Sequence, residues 1–321
     1  MLNAMLNAMS GSMLTVRQNR RTRRRTLANL GWLLLGLFAP SLAVNGQEPP
    51  NTEHDTELRV MSIDWTQTAT LLALGVTPIA SPQQSDYHDW VGEPQMPGAT
   101  QDIGLRVQPN LELIAELAPE RIFISPRFSS HEPQLSRIAP ITTVGLYKVG
   151  EVDWEAMIEF TQTLAEHTDT FERAETLITQ TEQKFAQWQQ TLATKGETPP
   201  LLVIQFMDPT HVRVFGTNSM YNVAMRKLGL RNAWQDSTNS WGFALVGVDK
   251  LQGVQGQIVI VEPKVAGVEN HLATDRYWQY LVEQTGYPVL TVAPTWSFGA
   301  LPSTTRFGDL LTQALTAEVS L

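Results

Sequence analysis

Between residues 169 and 194 the chain carries no glycine or proline, and apolar side chains recur at Phe171, Ala174, Leu177, Ile178, Phe185, Trp188 and Leu192. That spacing forms a single helical stripe, with Glu, Gln, Thr, Arg and Lys left for water. At about 1.5 Å per residue such a helix reaches roughly 39 Å, the span of a small domain. It predicts a rod joining two lobes.

Both flanks alternate short apolar runs with helical patterns. Before the rod, strands are expected at 57–63, 78–81, 121–125 and 141–146, with helices at 65–74, after Asn110, at 133–138 and at 152–167. The passage 81–106 reads as loop-rich, punctuated by Pro82, Pro94, Pro97 and Gly104, and 128–132 reads as loop. After the rod come strands at 201–206 and 211–215 joined by an Asp208-Pro209 turn, then a helix capped by Asn218 and running to 228. Asp249 opens a short helix, followed by a strand at 257–262, a helix at 275–285, a strand at 288–292 and a last helix at 303–317. Strands alternating with helices predict an α/β chain with parallel sheets in both halves. The expected organisation is an N-terminal lobe (57–150), a helical connection (151–197) containing the rod, and a C-terminal lobe (198–321).

One unit occurs twice. PNLELIAELAPERIFISP and GVDKLQGVQGQIVIVEP both give a short helix followed by an apolar strand, with Glu112 and Asp249 in the opening turns. Carboxylates favour helix N-termini by about 0.3–1 kcal/mol, so local chemistry accounts for the acids as well as a docking role does.

The first 43 residues read as an address. Arg17, Arg20, Arg21, Arg23, Arg24 and Arg25 precede an apolar run at 30–44, and Ser41 and Ala43 suit a signal peptidase cutting after Ala43. Arg24-Arg25-Thr26-Leu27 resembles a twin-arginine signal, whose cargo is exported folded. The run is broken by Pro40 and is short for a membrane span of about 20 residues. A polar linker is expected at 44–56.

Charge changes the picture once that address is set aside. The full chain carries −9, but without those six arginines 17 basic residues face 32 acidic ones, a formal −15. Such a protein suits neither nucleic acid nor an anionic membrane surface, and suits a small ligand or a basic partner. It contains no cysteine, hence neither disulfides nor a lipid-bearing cysteine. A free monomer in a periplasm is the expectation. Its six histidines form no HxxxH, HxH or HExxH pattern, and GxSxG and GxxxxGK[ST] are both missing. His88-Asp89 and His131-Glu132 read as solvated loop pairs. No catalytic group, metal site or cofactor is singled out.

Tryptophan in connecting segments is the feature that remains. Trp90, Trp241 and Trp296 lie in DYHDWVGEPQMPG, STNSWGFAL and APTWSFGAL, outside the expected helices and spread over both halves. Loops of this kind carry scaffolded binding sites. Trp154 and Trp188, by contrast, sit on helical stripes and read as core. Arg106 in DIGLRVQPN is a fixed cation among apolar neighbours, able to fork toward ligand oxygens or to form a surface ion pair.

These passages, together with LLALGVTPIA, RIAP, DPTHVRVFGTNSM and LGLRNAWQDSTNSWGFALVGVDKL, resemble in order and spacing the periplasmic ferric-hydroxamate-binding proteins. Members of that family are substrate-binding components of siderophore ABC importers, and the likeness covers 59–317. It implies two Rossmann-like lobes bridged by one long α-helix, a shallow cleft and modest hinge motion. Arg106 matches the arginine that grips iron-hydroxamate oxygens, while Trp90, Trp241 and Trp296 match the aromatic walls. Two positions depart from the family pattern. Phe128, preceded by Arg127, and Phe298 stand where tyrosines are expected, which removes two hydroxyl donors. Arg127 would compensate and suit a ligand with an exposed carboxylate, such as a citrate-based hydroxamate. Glu112 and Asp249 would meet basic sockets on an inner-membrane ABC permease. The cargo implied is an Fe(III)-siderophore complex whose iron is held by the siderophore.

Two other readings stay open. A carrier for another bulky chelate (cobalamin, haem or a catecholate siderophore) would need several basic residues around the cleft, where the sequence displays Arg106 and Arg127. An exported two-lobed hydrolase would need a nucleophile–base or carboxylate pair, and none stands out.

Overall fold

The computed structural model describes residues 58–147 and 152–317. The expected signal peptide and linker lie outside the described residues.

The N-terminal half builds a five-stranded sheet. In chain order it contains β1 (Val60–Ser62), α1 (Trp65–Ala73), β2 (Ala80–Ser81), α2 (Gln84–Trp90) and β3 (Gln101–Asp102). A small hairpin follows, β4 (Gly104–Leu105) and β5 (Gln108–Pro109), then α3 (Leu111–Leu117), β6 (Arg121–Ile124), α4 (Glu132–Leu135) and β7 (Ile141–Thr143). The order is β3-β2-β1-β6-β7, and every pairing is parallel. β1 is wholly buried, as a central parallel strand with both faces covered should be. Asp64 caps α1, its Oδ1 accepting from the Thr66 amide at 2.8 Å.

Two helices then make the connection, α5 (Trp154–Glu166) and α6 (Phe171–Lys195). In α6 the expected rod is present, with Ala174, Thr181, Phe185 and Leu192 as its buried stripe, although Phe171 is exposed. Its two ends are tied down. Arg173 Nη1 donates to the Leu74 and Gly75 carbonyls at 3.3 and 3.1 Å, and Lys195 Nζ donates to the Thr316 carbonyl at 2.9 Å.

The C-terminal half contains β8 (Leu201–Phe206), β9 (His211–Phe215), α7 (Met220–Lys227), β10 (Phe243–Gly247), β11 (Gln257–Val261), α8 (Val268–Thr274), α9 (Arg276–Thr285), β12 (Leu290–Val292) and α10 (Leu301–Thr316). Its sheet runs β10-β9-β8-β11-β12 and is mixed, not parallel throughout. β8, β11 and β12 are parallel, whereas β9 is antiparallel to both β8 and β10. The reason lies in the Asp208 turn, where one carboxylate oxygen accepts from the Thr210 and His211 amides at 2.7 and 2.8 Å. A turn that tight can only return the chain antiparallel. Three smaller differences concern α2, which occupies part of the expected loop, β10, which was not anticipated, and α7, which is capped by Ser219 where Asn218 was expected.

The largest apolar cluster crosses between the sheets. It takes Val60, Leu71 and Phe123 from the first half, Phe160 and Phe185 from the connection, and Leu201, Tyr221 and Phe307 from the second. Phe185 sits edge-on to Trp154 at 5.4 Å and to Trp188 at 5.2 Å, which confirms both tryptophans as core. Gly308 lets α10 close on this group, since a Cβ there would lie 2.9 Å from the Phe185 ring. Among the described residues no helix is long and apolar enough to cross a membrane.

Phe185→Ala should therefore loosen both halves at once. The expected loss is about 3–5 kcal/mol, read as a lowered denaturant midpoint in a single transition with an unchanged slope.

Candidate functional site: an aromatic cleft with three arginines

In open α/β sheets a ligand crevice forms outside the carboxyl ends of the parallel strands. The segments leaving those ends here are rich in rings and cations. Trp65 follows β1, Arg127 follows β6, Tyr147 follows β7, and Trp296 and Phe298 follow β12.

The rings touch in a continuous series. Trp65 meets Trp296 at 5.0 Å, Trp296 meets Phe298 at 5.2 Å, Phe298 meets Trp241 at 5.6 Å, and Trp241 meets Tyr147 at 5.3 Å. Phe243 joins through Phe298 at 6.0 Å. Most of these contacts are edge-to-face, the geometry favoured by the ring quadrupoles. The series is locked across the sheets by Thr66. Its Oγ1 accepts from Trp296 Nε1 at 3.1 Å and donates to the Phe298 carbonyl at 3.0 Å. Tyr147 adds a longer bond from its hydroxyl to the Ser297 carbonyl, at 3.4 Å.

Three guanidinium groups lie along the series. Arg106 occupies the tip of the β4–β5 hairpin, with its Cζ 3.6 Å from the Trp65 ring centre and 5.4 Å from that of Trp296. Gln83 Oε1 accepts from its backbone amide and from its Nε, both at 3.2 Å. Among the described residues its two terminal nitrogens have no hydrogen-bond partner. Arg127 Cζ lies 5.6 Å from the Trp241 ring and 5.8 Å from that of Phe128. Arg213 Cζ lies 5.0 Å from Phe243 and 5.8 Å from Phe298. Contacts of this kind contribute about 0.5–2 kcal/mol each, more as water is excluded.

The environment acts on these groups. Burial pulls the Arg106 guanidinium down to about 10, the Asp64 carboxylate pushes it back up, and the nearby Arg127 charge pulls it down again. Burial likewise lowers Arg213 below the usual arginine range. Both remain charged at neutral pH. Burial pushes the hydroxyls of Tyr147 and Tyr221 well above the ordinary tyrosine value, so both keep their protons.

The structure brings together Arg106, Arg127, Trp241, Trp296 and Phe298 of the residues singled out from sequence. Trp90 closes helix α2 instead of lying in a loop, and packs on the cluster of Trp65, Tyr87 and Met96 that Trp296 also borders, so it flanks the first rings of the series. Phe128 is buried in the N-terminal core with Met61 and Ile124, its ring stacked on His131. Glu112 and Asp249 are both exposed and topologically matched. α3 precedes β6, the neighbour of β1, while the 3-10 turn Val248–Leu251 precedes β11, the neighbour of β8. Among the described residues no group of three His, Cys, Asp or Glu side chains could hold a metal ion.

Sequence reasoning missed Trp65, Gln83, Tyr147 and Arg213. Trp65 looked like an ordinary helix residue. Arg213 did leave a signal, because in HVRVF it shares a face with the buried Phe215 while Val212 and Val214 share the other. A cation on a buried strand face is unusual enough to mark a site.

Residues 60–282 match the family described as periplasmic binding protein. The chain is 28% identical over 269 residues to the iron(3+)-hydroxamate-binding protein FhuD of Escherichia coli K12, covering 83% of this chain and 90% of the relative. It is 27% identical over 232 residues to the achromobactin-binding periplasmic protein of Dickeya dadantii 3937, covering 68% of each. Among solved structures, the Fe3+-Desferal-bound siderophore binding protein FhuD from Vibrio cholerae superposes with a TM-score of 0.75 at 26% identity, covering 81% of this chain and 98% of that one.

Trp241 depends on its neighbour for its position. Gly242 has φ +80°, and a Cβ there would lie 2.7 Å from Ser219 Cα and 2.8 Å from the Asn218 carbonyl. Gly242→Ala should cost at least about 1–2 kcal/mol from the left-handed backbone alone. It should also change the near-ultraviolet circular dichroism as Trp241 leaves Tyr147 and Phe298.

Proposed function

The chain belongs to the periplasmic binding protein family, and we propose that it captures a ferric siderophore of hydroxamate type in this cleft and passes it to an inner-membrane ABC permease. The observation that carries the reading is the ring series from both halves, edged by guanidiniums whose terminal nitrogens have no protein acceptor among the described residues. A siderophore wraps its iron in its own oxygens, so recognition falls on the outside of the complex. Rigid rings supply contact area at small entropic cost, and forked cations address the oxygens. Arg106 is well suited to the second task, because Gln83 orients it through Nε and both Nη atoms have no protein partner among the described residues. The relatives that bind iron(3+)-hydroxamate and Fe3+-Desferal point the same way. A capture protein of this kind works as a soluble monomer between two membranes, delivered there by the leader expected at 1–43.

Binding is tested by tryptophan fluorescence. A ferric hydroxamate should quench it saturably, because Trp241 and Trp296 would lie against a coloured iron complex. The metal-free ligand should quench it far less. Trp241→Ala should raise Kd about tenfold, equivalent to ~1.4 kcal/mol. Absence of saturable quenching by every ferric siderophore tried would overturn the reading.

Glu112 and Asp249 are assigned to docking, one exposed acid in each half meeting a basic socket on the permease. Their matched topological positions support this role. Glu112→Lys with Asp249→Lys should abolish iron-siderophore uptake by cells while leaving Kd for the ligand unchanged.

A further inference from the structure

We propose that the cleft is selective for a ferric chelate carrying net negative charge, with anionic oxygens on its periphery, over a neutral one, and that Arg213 is a specificity-determining residue for that charge. This rests on the binding role proposed above and narrows it.

Arg106 and Arg213 are only partly exposed, and together with exposed Arg127 they edge one run of aromatic rings. Among the described residues none of the three makes an ion pair. The only protein acceptor among the described residues for any of their side-chain nitrogens is the neutral amide oxygen of Gln83. Other arginines in the chain are satisfied differently. Arg59, Arg173 and Arg306 donate to backbone carbonyls, and Arg231 pairs with Glu197 at 3.3 Å. Arg226 leaves its charge to water at an exposed site. Arg106 and Arg213 have no backbone carbonyl or carboxylate partner among the described residues and are only partly open to water. Apolar rings have displaced much of their water without supplying a counter-charge, an arrangement that disfavours the empty site and favours an anion.

The sign is local. Without the leader arginines the chain is strongly acidic, so these three cations stand against the overall field. Arg127 lies close enough to depress the Arg106 guanidinium, so two like charges are held near each other, and among the described residues neither has a carboxylate paired to it. The carboxylates of Asp64 and Asp86 raise the Arg106 guanidinium electrostatically without forming an ion pair with it among the described residues. A bound anion would relieve that repulsion as well as pairing with each fork.

The ligand chemistry follows from charge balance. Three singly charged hydroxamates neutralise ferric iron and leave nothing for further cations to pair with. Free carboxylates beside hydroxamates, or doubly charged catecholates in place of them, leave a net negative complex. Carboxylates and catecholates share the anionic oxygens that these forks recognise, so both classes are tested.

The experiment measures Kd by fluorescence quenching for three ferric complexes: a neutral trihydroxamate, a citrate-based dihydroxamate with free carboxylate, and a tris-catecholate. At least one anionic complex should bind tenfold or more tightly than the neutral one, and whichever does so identifies the source of the charge. In Arg127→Gln with Arg213→Gln that ratio should fall to within about threefold of unity, and Arg213→Lys should retain much of it. Using the ratio separates selectivity from folding, because a damaged cleft weakens every complex together. Neutral binding as tight as anionic binding, or a ratio unchanged in the double variant, would overturn the proposal while leaving the siderophore role intact. Failure of all three to bind would instead remove the role itself.

Discussion

A single hydroxyl holds the cleft in register. Thr66 Oγ1 receives the Trp296 indole and donates to the Phe298 carbonyl, bonding a loop from the end of the chain to the first helix of the beginning. Each bond is modest, about 0.5–1.5 kcal/mol net, but together they fix the directions of two rings. From those rings the series runs to Trp241 and Tyr147, and the cations take their places along it. Beneath this seam the apolar core is continuous from Val60 to Phe307. Large separation of the halves would expose that core, so the meeting of rings from both halves is built into the fold.

Much of this architecture was legible in the pattern of apolar positions. The rod α6 could be read because its helical stripe continues over so many turns without glycine or proline. The similar grammar of its two flanks favoured a rod joining two lobes over a surface helix of one domain. Trp241 and Trp296 could be read because Gly, Pro and Ser lie around them, and Arg106 because it is a cation among apolar neighbours. The strand direction in the second sheet was misjudged although the Asp208 turn already implied a hairpin. Trp90 was read from its loop-like flanks and Phe128 from resemblance; the first ends a helix beside Trp65 and Trp296, and the second is buried in the N-terminal core. A phenylalanine directly after an apolar strand has a core within reach, and it enters that core once it has no hydroxyl to keep in water. Trp65, Tyr147 and Arg213 were hidden for another reason. Their part depends on contacts between distant segments, and local sequence does not encode such meetings.

Electrostatics divides the molecule in a way that composition conceals. Acidic residues cover the outside, where Glu112 and Asp249 belong, and the cleft gathers arginines beside rings. Stacking a guanidinium on an aromatic face lets one surface offer both apolar area and positive charge, because the plane of the cation packs while its edge donates. A lysine in the same place would keep its hydration shell and hold the ring at a distance.

The hairpin that carries Arg106 is tied down through Asp102, whose carboxylate accepts from the Gly104, Gln83 and Gln84 amides, and through Gln83, whose amide donates to the Gly104 carbonyl. Its flanking side chains, Leu105 and Val107, lie in the open and contribute nothing to the core. Lengthening or shortening this small projection would move a charge along the ring series while leaving the sheet beneath it in place. Within such a scaffold, descendants could acquire a taste for differently shaped cargo through changes at one short tip.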